Sequence, residues 1–409
     1  MKIAYIVWNI PTVATFVVAE IKNVILKGID VVLLPVKINK TRNIQKDYEV
    51  VYSNVQNIPY IFSFKLWLAI FYFLFTAPFK LFFVIGEVIA SNINPPIYFL
   101  KTVAIIPKSI YYAYYIKKNN YNYLFGTWAH YPTTIAYIIY RLTRVPFAFS
   151  AHAGADIYRF TSMLKKKIEK AEFVTTCVAA NKVFLDEFSR HKFEHKIYVN
   201  YHGVDLSKFK SSKVNSRCNS KVIKLISVGN LHTPKGFIYM IRALRLLIDQ
   251  KLPYNFNYTI VGNGYEGKNI STEIKNLSLQ DNVDIVGIMP HDLLIELYHQ
   301  SDIFIMPSII SPQGGRDGIP NVLVEALSMG IPCIGTNVSG LPEAIIHGET
   351  GLLVNPQSPE ELSNAVVTLL NDKNLRIKLS LEGPKHVQKY FDRSKNFEEL
   401  FVILRKHFN

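Results

Sequence analysis

Residues 307–356 read PSIISPQGGRDGIPNVLVEALSMGIPCIGTNVSGLPEAIIHGETGLLVNP. Pro320 suits the first turn of a helix, where its missing N–H costs nothing, so 321–329 is expected to be helical with Glu325 two turns in. Asp317 and Gly318 then sit in the loop ahead of it. The unpaired N–H groups of such a helix start, at Asn321, Val322 and Leu323, together with the positive end of its dipole, make an anion site into which a diphosphate fits. A short apolar run precedes the stretch (303–306) and another lies within it (333–335), giving strand, loop, helix, strand. Two carboxylates eight residues apart describe, on their own, a solvated helix face. The glycines and prolines around them turn the reading toward a site.

Working outward, the same alternation fills the chain. Residues 3–8, 30–36, 123–126, 146–150 and 173–177 read as strands in the first half, with a helix over 15–27. Residues 224–228, 258–261, 303–306 and 333–335 read as strands in the second half, with a helix over 236–250. This order predicts parallel sheets covered by helices on both faces. Residues 207–221, SKFKSSKVNSRCNSK, are polar and form the expected linker. The expected architecture is therefore α/β, with two doubly wound Rossmann-like domains facing across a cleft and ligands at the carboxyl ends of the strands. The domains are expected at 1–210 and 221–383, with 384–409 a C-terminal helix returning to the first.

A chain of 409 residues, 49% apolar and 19% charged, is neither disordered nor fibrous. Cys177, Cys218 and Cys333 show no paired spacing, which argues against zinc and a disulfide framework and for a reducing compartment. The start, MKIAYIVWNIPTVATF, lacks a good cleavage site and reads as a first strand and its loop, so no export is expected. Residues 1–213 hold 27 Lys and Arg against 12 Asp and Glu, so the whole formal charge of +15 lies there. A one-sided basic half implies an acidic partner surface. From 58 to 88 the chain reads IPYIFSFKLWLAIFYFLFTAPFKLFFVIGEV, and grease beside lysines favours an anionic membrane surface over nucleic acid, for which no recognition motif is present. Residues 66–79 supply only fourteen apolar positions, short of a span. Two readings stand: an interfacial hairpin dipping into one leaflet, or a buried helix pair of the first domain.

The run DGIPNVLVEALSMGIPCIGTNVSGLPE resembles the donor-binding signature of the family 4 glycosyltransferases, enzymes of the GT-B fold in which two acids flank seven other residues. The resemblance is similar to that of bacterial exopolysaccharide and lipopolysaccharide enzymes of the colanic acid type. It implies that Glu325 holds the ribose hydroxyls of a nucleotide and that Asp317, standing where the family usually has glutamate, faces the donor sugar. After strand 224–228 comes GNLHTPKGF, where Gly229 turns the chain and Lys235 aims at a diphosphate. Asn230 stands where the family usually has arginine, and an amide offers none of that side chain's charge, so Lys235 carries more of the leaving-group neutralisation. Strand 258–261 runs into GNGYEG, whose Gly262 and Gly264 match the family's VGxG loop and allow close approach to a ligand. The resemblance gives Gly287 and Ile288 main-chain contacts to the base, and His152, in FAFSAHAGADIY, a place at the reacting centre. Asp156, four residues on, either orients that histidine or caps a helix.

No DxD triplet occurs, so the carboxylate clamp for a divalent metal on a sugar diphosphate is missing. No cofactor and no metal are expected. The resemblance implies transfer of a sugar, with retention of configuration, from a nucleotide-diphosphate donor to a lipid-linked saccharide, by a cytoplasmic enzyme peripheral on the inner face of the cell membrane. A non-catalytic nucleotide-sugar-binding subunit of a membrane-associated synthase is the alternative.

Overall fold

The computed structural model describes all residues except 11–13, 40–48, 58–61, 155, 160, 210–217, 219 and 409. The loop expected after the first strand and most of the linker expected at 207–221 fall outside the described residues. The chain divides into two compact units, one comprising Met1–Cys177, Asn181–Asn200 and Phe397–Asn409, the other Val178–Ala180 and Tyr201–Asn396.

The first unit is built on six strands, β1 (Lys2–Ile10), β2 (Asp30–Ile38), β3 (Tyr123–Gly126), β4 (Phe147–Ala151), β5 (Val174–Thr176) and β6 (Ile197–Val199), in the order β2-β1-β3-β4-β5-β6. Every pairing is parallel. Along β1, Ala4 and Ile6 enter one core while Ile3, Tyr5 and Val7 enter another on the opposite face. That is the period of two expected of a strand buried on both sides, and it explains the near-continuous apolar run. Phe397, Leu400, Phe401, Leu404 and Phe408 of the last helix complete the second of these cores.

The second unit repeats the plan with β7 (Val222–Val228), β8 (Asn255–Val261), β9 (Val283–Gly287), β10 (Ile303–Met306), β11 (Cys333–Thr336) and β12 (Leu352–Val354), ordered β12-β11-β10-β7-β8-β9 and parallel throughout. Ile223 and Leu225 of β7 face one core and Ile226 and Val228 the other.

The unit boundaries differ from the expected ones. The second unit begins at Tyr201 because Val204 and Phe209 are buried in its core, and the Val204 N–H donates to the Phe391 carbonyl at 2.8 Å. The helix Lys373–Tyr390 also stays in the second unit, anchored by Leu379 and Val387, so the return to the first begins at Phe397 rather than at 384.

The apolar stretch after residue 61 folds as two helices, Phe64–Thr76 and Pro78–Ala90, whose axes differ by 112° at Ala77. Among the described residues no single helix is long and apolar enough to cross a membrane. Leu66, Ala69, Phe73, Leu81, Val84 and Val88 pack into the first unit's core. Glu87 turns inward as well: it pairs with Arg141 and with Lys166 (3.2 Å) and accepts from the Tyr137 hydroxyl at 2.9 Å. Burial within the core thus accounts for one face of the pair only. The other face carries Phe64, Phe71, Phe75, Phe79, Phe82 and Phe83, all exposed.

Candidate active site

In a doubly wound sheet a ligand crevice opens where consecutive strands run off in opposite directions, outside their carboxyl ends. In the second unit that point lies between β7 and β10. The segments leaving these two strands carry Lys235 and Asp317, and their side chains meet there in an ion pair, Nζ to Oδ2, at 3.0 Å. Lys235 ends a single 3-10 turn, Thr233–Lys235, before the helix Phe237–Asp249. Gly236 between them has φ +64, and a Cβ there would stand 1.9 Å from the Pro307 carbonyl oxygen, so the close contact between the β7 and β10 segments requires glycine. Gly229 leaves room for the Lys235 side chain, whose Cε would lie 3.0 Å from an added Cβ.

Gly262 and Gly264 have a structural use as well. A Cβ on Gly262 would stand 1.9 Å from the Gly229 carbonyl oxygen, and one on Gly264 would stand 2.4 Å from that of Leu231. The space they leave is filled by the neighbouring loop, so their smallness fixes the β7 segment in place. Gly287, at the end of β9, has open space where a side chain would be, and Ile288 after it is exposed. Asn230 is exposed too.

The acidic helix is Asn321–Ser328, with Pro320 at the N-cap and Met329 at the C-cap. Glu325 therefore lies just over one turn in, rather than two. Leu323 N–H donates to the Pro320 carbonyl at 3.0 Å, while Asn321 and Val322 lie in the first turn, where N–H groups have no acceptor within the helix. The Leu323 side chain is in the core and its N–H is taken by Pro320, so the N–H groups with no partner within the helix are those of Asn321 and Val322 rather than all three expected. Glu325 is buried, accepts from the Tyr298 hydroxyl at 3.2 Å and lies 4.0 Å from His291 Nε2. Burial pushes its carboxyl up to about 7, against smaller opposing effects of the Tyr298 hydrogen bond and the Arg393 charge. Ser339 donates to the Asp317 carbonyl and so ties the acidic loop to the segment after β11.

His152 follows β4 in the first unit and is buried. Its N–H donates to Asp156 Oδ2 at 2.9 Å, and its Nε2 donates to the Thr127 carbonyl at 3.1 Å. Asp156, also buried, accepts from the N–H groups of Ala129 and His130, each at 3.0 Å, and pairs with His130 Nδ1 at 3.1 Å. Of the two roles open to it, Asp156 takes that of orienting the histidine loop. Its carboxyl stays below the ordinary range because, although burial pushes it up, the His130 ring first, and then the His152 ring and N–H, favour the charged form. Burial lowers the His152 pKa, so its ring is neutral at pH 7.

Three contributors escaped the sequence reading. Tyr298 sits among apolar residues in a run that reads as core. Ser339 has no motif of its own. Lys167 stands in LKKKIEK, a pattern that reads as a solvated helix face, yet it is buried and its Nζ donates to the carbonyls of Ala129 (2.8 Å) and His130 (3.0 Å). The only signal was spacing, since Lys167 shares a helix face with the buried Leu164 and Ile168.

The family model for glycosyl transferases group 1 matches residues 208–386, the segment that contains every second-unit residue of this site. That segment of the chain is similar to this family. Among curated relatives, the amylovoran biosynthesis glycosyltransferase AmsK of Erwinia amylovora is 29% identical over 211 residues, 52% of this chain and 51% of that protein. The putative colanic acid biosynthesis glycosyltransferase WcaL of Salmonella typhimurium is 33% identical over 168 residues, 41% of this chain and 40% of that one. The chain thus spans about half the length, or less, of these relatives. Among solved structures, Anabaena Alr3699/HepE in complex with UDP-glucose superposes with a TM-score of 0.70 at 16% identity, covering 99% of this chain and 100% of the other. The sucrose-phosphate synthase of Thermosynechococcus elongatus gives 0.69 at 18% identity, covering 99% and 98%. The fold is that of the GT-B glycosyltransferases.

Proposed function

We propose that this protein is a glycosyltransferase of bacterial surface-polysaccharide synthesis, moving a sugar from a nucleotide-diphosphate donor to a growing, lipid-linked saccharide at the inner face of the cell membrane. The observation that carries the reading is the Lys235–Asp317 pair at the switch point of the second sheet, with the start of the Asn321–Ser328 helix on the same loop. Lys235 and the N–H groups of Asn321 and Val322 neutralise the diphosphate as the glycosidic bond to it breaks. Glu325 receives the ribose hydroxyls, and Asp317 positions both Lys235 and the donor sugar. The main chain at Gly287 and Ile288 takes the base. His152 acts at the reacting centre as a neutral ring. The relatives' roles in amylovoran and colanic acid synthesis support the polysaccharide product, and HepE with UDP-glucose supports a nucleotide-sugar donor.

The reaction is proposed to retain configuration, with the leaving phosphate accepting the acceptor's proton, and to need no metal, because charge neutralisation is assigned to Lys235 and backbone donors in a chain without a DxD clamp. A thermal-shift panel of UDP-, GDP- and ADP-sugars tests donor binding, since a donor at about 100 times its dissociation constant adds about 2.7 kcal/mol of stability. Lys235→Ala is expected to lower transfer by roughly 10²- to 10³-fold with its own melting unchanged. EDTA is expected to leave transfer intact. Donor binding with neither hydrolysis nor transfer in the wild type would instead favour the non-catalytic subunit, a reading supported by the uncharged, exposed Asn230.

A further inference from the structure

We infer that the bent helix pair Phe64–Thr76 and Pro78–Ala90 is a wedge that seats the first unit in one leaflet of an anionic phospholipid bilayer, with its elbow at Ala77 lowermost. The inference deepens the membrane-side part of the proposed function and rests on it.

The outward face repeats at helical spacing. Phe64, Leu68, Phe71 and Phe75 lie at intervals of four, three and four on the first helix, and Phe79, Phe82 and Phe83 follow on the second; all are exposed. Exposure peaks beside the break, at 83% for Phe75 and 90% for Phe79. The rings of Trp67, Phe71 and Phe75 form a row, with centroids 6.3 and 6.5 Å apart. A soluble surface rarely carries so much contiguous apolar area without something to cover it.

Three observations select a lipid leaflet as the occupant. Each helix has 13 residues, roughly 20 Å of rise against the roughly 30 Å of a hydrocarbon core, and the 112° turn brings the chain back on the side it entered. Between residues 62 and 86 there is no Asp or Glu, while Lys65 and Lys80 are exposed beside the aromatics. The first carboxylate beyond, Glu87, is held inward by Arg141, Lys166 and Tyr137. Aromatic tips reach the acyl boundary and lysines the phosphates, as in an interfacial helix.

The test uses the full chain. Co-sedimentation with vesicles of 70% phosphatidylcholine and 30% phosphatidylglycerol is compared for wild type and F75D/F79D. Wild type is expected to bind, less so at high salt and with pure phosphatidylcholine, and the variant at least ~tenfold more weakly. The donor-induced thermal shift of the variant is expected to be unchanged, which shows it folded and keeps failure of the wedge distinct from failure of the transferase reading. The three native cysteines are buried, so an environment-sensitive dye can be placed by F75C. Its emission is expected to shift to the blue with vesicles, while the same dye at K275C does not respond. Equal binding by the variant, or no shift at position 75, would overturn the proposal. So would a wild-type dimer that F75D/F79D dissolves without vesicles, because the face would then belong to a second copy.

Discussion

Glu325→Gln should make the free protein more stable at alkaline pH while weakening its hold on the donor. The buried carboxyl titrates at about 7 in the folded chain against 4.5 as the ordinary value. A raised acid pKa means that the folded state holds its proton through the interval between the two values, so stability falls as pH climbs from about 4.5 to about 7 and stays reduced above. The difference of about 2.5 units, at 1.36 kcal/mol each, puts the penalty above pH 7 at about 3 kcal/mol. Glutamine carries no charge to desolvate, and its carbonyl still accepts from Tyr298. Paired thermal melts of wild type and variant should lie close together at pH 5, where only the first part of the penalty has appeared, and diverge at pH 8, where the variant gains roughly 6 to 12 °C. Donor titrations at pH 8 should show weaker binding by the variant, the trade of stability for function expected where a charge is kept buried to meet a ligand. A stability difference that does not change between pH 5 and 8 would refute the reasoning, because the carboxylate would then not be the strained group.

Two further perturbations probe the scaffold. Gly262→Ala places a Cβ against the Gly229 carbonyl at φ +145 and should cost more than about 2 kcal/mol in urea unfolding; a neutral result would show that the two loops are not locked together. Asp156→Asn turns an amide N–H₂ toward backbone donors that now share a carboxylate and should cost about 3 kcal/mol, with loss of transfer and an unaltered donor thermal shift; a donor shift lost along with transfer would count against separate roles for His152 and the donor-binding residues.

Much of the fold was legible because central strands buried on both faces leave long apolar runs: β1, β3, β4, β7, β8 and β10 could be placed from the residues alone. Edges were harder. β6, β9 and β12 were not anticipated, and each lies at the margin of its sheet. β6 and β12 have three residues each, and β9 alternates buried with exposed positions, so their hydrophobic signal is halved or cut short. The convergence of the Lys235 and Asp317 segments was legible through their glycines and prolines, since these mark backbone constraints that few sequences satisfy by chance. Yet the structural use of Gly262 and Gly264 against the neighbouring loop was not foreseen, because a glycine records that something comes close without saying what. Lys167 and Tyr298 were invisible for the opposite reason: a buried cation and a buried phenol look, in sequence, like a surface lysine and a core aromatic.

The ion pair between Lys235 and Asp317 gives the ammonium a counterion of its own. Any anion arriving from solution must displace a carboxylate tethered 3.0 Å from the ammonium, and a tethered partner competes as though present at millimolar concentration or above. Inorganic phosphate, with nothing else to hold it, is a poor rival. Under the proposed function, a nucleoside diphosphate would bring a ribose for Glu325 and a base for the main chain at Gly287, and would win by the sum of its contacts. On that proposal the exchange would also free Asp317 as a sugar comes within its reach.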